Sequence, residues 1–179
     1  MISNTDRVKK NANLLSGNAT NLEAGDSMLS RRQARRLALQ ILFCNEFLKE
    51  DILPVAERIA ATLQQQINPF CKTLILTTHT HRLELDNLIH TNLRNWDIER
   101  IAMIDRLLLR LALSELLYFP EIPLEVTINE AMELGKEFDS YKGSRFINGI
   151  LDTILKQLEK DHRLPKKIVA HVSTGTKQQ

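Results

Sequence analysis

Four arginines fall within six positions of the stretch "SRRQARR": Arg31, Arg32, Arg35 and Arg36. Guanidinium groups grip phosphate oxygens through paired hydrogen bonds and release counterions from an anionic strand. On a helix these four share an arc of roughly 140°. The apolar positions Leu37, Ile41, Cys44 and Leu48 lie on the opposite side. The spacing therefore predicts one buried face and four guanidiniums held together in water. Like charges three and four residues apart repel, and cations at a helix N-terminus oppose the macrodipole, a local cost of about 1 kcal/mol. An anionic ligand offsets that cost. A solvated surface is the competing reading, and spacing alone does not choose among RNA, DNA and an acidic protein.

No other stretch offers chemistry of comparable density. His79 and His81 in "THTH" stand two apart, whereas metal ligands on a helix stand three or four apart. Cys44 and Cys71 sit in apolar helical patterns without CxxC spacing, so reduced core thiols are expected. Asp97, Glu99 and Asp105 have no acid–base pairing or nucleophile motif around them, and no GxxxxGK[ST] loop occurs. The expectation is a protein that is not an enzyme and uses neither metal nor cofactor. Gly149 in "NGIL" is expected to allow close helix packing, and Asn129 and Asn148 to be buried hydrogen-bonding residues.

The elements that must carry the arginines follow from composition and period. Apolar residues make up 43% of the 179 positions and aromatics only 5%, with six glycines and five prolines, too few turn formers for an all-β protein. An all-α fold is expected. The net charge of +2 means that any basic site must come from uneven distribution. No apolar run reaches membrane-spanning length and no hydrophobic signal region opens the chain, so a soluble, cytoplasmic protein with no membrane partner is expected.

Residues 1–29 read as a disordered leader, 30–161 as one helical domain and 162–179 as a basic flexible tail. Six helical segments are expected. The first opens at Ser30, with Gln33 in capping-box register. The second covers about 52–66. The third begins after Asn68, with Pro69 at its first position, and runs toward Leu93. The fourth starts behind Asp97 and is apolar enough to be central. The fifth lies in "PLEVTINEAMELGKEF" and the last in "SRFINGILDTILKQLEK".

Three stretches in order, "SRRQARRLALQILF", "IDRLLLRLALSELLYFPEIPLEVTINEAMELGKEF" and "SRFINGILDTIL", closely resemble the NusB family of bacterial transcription antitermination factors. The resemblance spans about residues 30–160 and is most specific in "EVTINEAMELGKEF" followed by "RFINGILD". It implies a compact bundle of about six to seven helices in two three-helix subdomains. It further implies binding of boxA-type single-stranded RNA together with NusE, a small-subunit ribosomal protein. Action would be with RNA polymerase and other Nus factors on ribosomal RNA operons. The family's arginine-rich RNA contact falls on Arg31, Arg32 and Arg35, with Arg36 beside it. Its RNA surface extends to "DSYKGSRF", where this sequence offers Lys142 and Arg145 in place of the acidic residues of several relatives. The NusE-facing surface would include Phe43 and Asp105. Alternative readings are a structural homodimer and an RNA-binding accessory to an RNA-modifying enzyme, although no Rossmann glycine motif or catalytic cysteine segment occurs.

Overall fold

The computed structural model describes residues 29–93, 101–139 and 141–164. All of the expected leader except Leu29 and nearly all of the expected tail lie outside these residues, as do Asp97 and Glu99. Within them are seven α-helices: α1 (Arg31–Leu48), α2 (Ile52–Thr62), α3 (Pro69–Thr80), α4 (Arg82–Asn92), α5 (Met103–Tyr118), α6 (Leu124–Phe138) and α7 (Tyr141–Lys160). The fold is all-α, and none of these helices is long and apolar enough to cross a membrane.

Local chemistry sets several boundaries. Ser30 Oγ accepts from the Gln33 backbone N–H at 3.2 Å, and the Gln33 side chain accepts from the Ser30 N–H at 2.8 Å, completing the capping box of α1. The helix ends at Lys49, whose φ of 52° is left-handed. Asn68 caps α3 by accepting from Cys71 N at 2.8 Å, with Pro69 in the first turn.

Two expected segments differ. The third is two helices, because the backbone at His81 leaves helical geometry (ψ 13°), and its ring stacks on Tyr118 of α5 with centroids 4.1 Å apart. The fourth begins at Met103, so Ile101 and Ala102 lie before the helix and not inside it.

Helices α1, α2 and α3 pack on one another, α5, α6 and α7 form a second mutually packed group, and α4 lies against α3, α5 and α7. Both α1 and α3 also rest on α5, so one core runs through the two groups. Leu107, Leu108, Leu109, Leu111, Leu113 and Leu116 are all buried, which makes α5 the central helix. Each such leucine contributes about 1.5–3 kcal/mol of burial. Cys44 and Cys71 are free and buried, and burial pushes their thiols up to about 11 and about 12.

The glycine and asparagine expectations are corrected. A Cβ on Gly149 would meet nothing within 4 Å. Close packing occurs instead at Gly135, where a Cβ would sit 3.2 Å from the Ser144 backbone and 3.0 Å from Ile147 Cδ1, at the contact of α6 with α7. Asn129 and Asn148 are both exposed. They fall on the solvent faces of helices whose buried stripes lie elsewhere.

Candidate nucleic-acid interface

The first turns of α1 divide the four arginines. Arg31 is exposed, and its guanidinium lies over the Phe70 ring at 5.1 Å. The Arg32 side chain is 63% exposed and grips Glu130 of α6: Nη2 donates to Oε1 at 2.7 Å, and Nε donates to both oxygens at 3.1 Å. That carboxylate, chiefly through the hydrogen bonds, raises the already high Arg32 pKa. Arg36 is partly covered, with Nε 2.7 Å from Glu137 and its guanidinium 5.7 Å from the Phe138 ring centroid.

Arg35 corrects the expectation of four guanidiniums in water. It is 4% exposed and donates from Nε and Nη2 to the two oxygens of buried Glu115 at 2.7 and 2.9 Å. Thr127 of α6 donates to the same carboxylate at 2.6 Å, Glu130 stands 3.7 Å from Arg35 Nη1, and the Phe70 ring lies 5.3 Å away. The reason is the width of the buried arc. From Ala34 to Asn45 most of α1 is enclosed by α2, α3 and α5, and Arg35 points into that enclosure. A missed signal was present: Arg110 and Glu115 are charges inside an otherwise apolar helix, a pattern that calls for buried partners.

Lys142 and Arg145 are exposed on the first turns of α7. Helix α6 links them to the arginines, since Arg32 and Arg36 reach Glu130 and Glu137 along it. Its end at Asp139 lies so close to Gly143 that a Cβ there would fall 1.9 Å from Asp139 Oδ2. Arg31 and Arg32 on α1 and Lys142 and Arg145 on α7 are each exposed to solvent, and α6 packs between Arg32 and the start of α7. The acidic row of α6 runs beside them. Within that row Glu133 is held below the usual carboxylate range, mainly by its hydrogen bond from Lys136.

The two residues expected on a partner face occupy different environments. Phe43 is half-buried and meets Phe47 edge-to-face, with centroids 5.2 Å apart. Phe47, which sequence reasoning passed over, is 51% exposed, and its i,i+4 spacing from Phe43 was the available sign. Asp105 is buried, and burial together with nearby Asp139 pushes its carboxyl up to about 6. Among the described residues, no cluster of three or more potential metal ligands occurs.

Comparison with known proteins gives a consistent result. The profile of the NusB family matches residues 32–156. The transcription antitermination protein NusB of Natranaerobius thermophilus is 38% identical over 137 residues, covering 74% of this chain and 99% of that protein. NusB of T. maritima superimposes with a TM-score of 0.63 at 33% identity, covering 73% of this chain and 94% of that one. A chain from the crystal structure of antitermination factors NusB and NusE with double-stranded RNA shares the fold. Its TM-score is 0.66 at 24% identity, and the match covers 71% of this chain and 96% of that chain.

Proposed function

The chain belongs to the NusB family, and on that premise we propose that it is a non-enzymatic RNA-binding transcription antitermination factor. Its ligand is boxA-type single-stranded RNA, taken up together with NusE. The pair acts with RNA polymerase and other Nus factors to promote read-through of ribosomal RNA operons. The observation that carries this reading is the exposure of Arg31 and Arg32 on α1 and of Lys142 and Arg145 on α7. A chain of this fold has been crystallised in a complex of NusB and NusE with double-stranded RNA, which supports NusE and RNA as the kinds of partner. Phosphate contact comes from these four cations, and base preference comes from unpaired bases splayed beside them. Arg35 acts at one remove, by fixing α1 against α5 and α6 so that its neighbours face outward. Arg36 stays paired with Glu137 and adds charge beside the strand.

Titration of a boxA oligonucleotide at several salt concentrations tests the proposal. Four phosphate contacts give a log–log slope of about −3, from about −0.7 per contact on a single strand. A slope near zero, or equal affinity for boxA and a scrambled oligonucleotide with NusE present, defeats it.

A further inference from the structure

A second concavity lies far from the arginine edge. Asn45 is 14 positions beyond Arg31 on α1, about 20 Å along the helix. The groove has a volume of about 430 Å³, within the range of about 300–1,000 Å³ typical of small-molecule sites. Its apolar floor is Leu42 and Leu107, and the buried guanidinium of Arg110 lies there, neutralised by Glu46 and Asp86.

Two polar side-chain atoms of this groove bear on what it could hold. Asn45 Oδ1 and Thr78 Oγ1 are buried without a hydrogen-bond partner, on residues only 8% and 1% exposed. Burying such atoms unpaired costs about 1–3 kcal/mol each, and both residues line this one groove, where a ligand would pair them. The walls differ in sign. The turn from α1 to α2 supplies Glu46, Glu50 and Asp51, with Lys49 among them; the junction of α3 and α4 supplies Arg82 and His79. Glu46 and Glu50 are engaged by Arg110 and Arg58. Asp51 stands at the start of α2, yet its side chain makes no capping bond. Among the described residues neither Asp51 nor Arg82 has an ion-pair partner.

We propose that this groove binds a small zwitterion of the amino-acid class, its ammonium directed to Asn45 Oδ1 and Asp51 and its carboxylate to the Thr78 hydroxyl and Arg82. A lone anion meets the acidic wall and a lone cation meets Arg82 and Lys49, whereas a zwitterion satisfies both sides at once. The inference is independent of RNA binding.

The test uses the full chain without RNA. Calorimetry and ligand-observed NMR are run with each proteinogenic amino acid singly, and with acetate and methylammonium as its two charged halves. At least one amino acid is expected to bind, with each half at least about tenfold weaker. Thr78→Val and Arg82→Gln are expected to weaken that binding about tenfold, the scale of one lost hydrogen bond. Unliganded Thr78→Val is expected to melt no lower than the parent, because a methyl replaces an unpaired hydroxyl of the same shape. Absence of binding by every amino acid overturns the proposal. So does binding unaffected by both substitutions, or a lowered melting temperature for Thr78→Val, which would reveal that the hydroxyl already has a structural partner.

Discussion

Arg35 of α1 and Glu115 of α5 face each other in a two-point ion pair, both side chains nearly sealed from solvent and 80 positions apart in sequence. Within a row of arginines that one helix turn makes look equivalent, this one is a structural rivet. Its neighbours inherit their outward aim from it.

Removing one side of the rivet leaves a buried charge without compensation. Arg35→Met is expected to cost about 3–5 kcal/mol, seen as a large drop in the urea midpoint. The double substitution Arg35→Met, Glu115→Leu is expected to recover most of that loss. If the single substitution costs under about 1 kcal/mol, the enclosure of Arg35 is wrong.

Arg32 behaves oppositely, because its side chain is mostly in water. Arg31→Ala with Arg32→Ala is expected to change stability by at most about 0.5 kcal/mol. The same double change should flatten the salt slope for boxA by about 1.4, two contacts' worth. Glu130→Gln frees Arg32 and should tighten binding about twofold to tenfold, since an exposed ion pair is worth up to about 1 kcal/mol. Fluorescence anisotropy checks binding by both variants, and tighter binding by the arginine double variant would refute the assignment.

Asp105 gives a pH signature of defined sign. Its folded carboxyl titrates at about 6 against an ordinary 3.8, first through burial and then through Asp139. The folded state therefore holds a proton that the unfolded state has released, and stability from this group falls as pH rises between those values. Asp105→Asn should remove the decline and melt higher than the parent at neutral pH. A chemical-denaturation series from pH 4 to pH 7, with parent and variant in parallel, is the check; identical pH profiles would exclude the effect.

The two glycines invert the sequence expectation and can be separated by alanine. Gly149→Ala should stabilise by up to about 1 kcal/mol, since it improves helix propensity in open space. Gly135→Ala should destabilise by about 1–3 kcal/mol, because the methyl presses on the Ser144 backbone. Melting temperatures moving in the same direction for both would contradict the packing described for α6 and α7.

Sequence reading succeeded where causes were local. The Ser30–Gln33 box, the Asn68–Pro69 start and the span of α6 each depend on neighbours a few positions away. It failed where causes were distant. His81, where the helix breaks, stacks on and hydrogen-bonds Tyr118, 37 positions on, and nothing in the apolar period of "CKTLILTTHTHRLELDNLI" announces the break. Arg35 and Arg32 have the same residue type and share one arc. What separates them is that one finds Glu115 inside the core and the other finds Glu130 at its edge, 98 positions away. The groove was invisible for the same reason, being assembled from α1, α3, α4 and α5.

The carboxylates of Glu130 and Glu137 already occupy Arg32 and Arg36, which bears on the proposed RNA contact. A row of bare guanidiniums would be occupied constantly by whatever polyanion is most abundant nearby. On the proposed function, a phosphate reaching Arg32 must displace Glu130, so that contact yields less net free energy than a bare guanidinium would, by up to about 1 kcal/mol. Under that proposal each contact counts for little alone, and affinity for a strand rests on several made together.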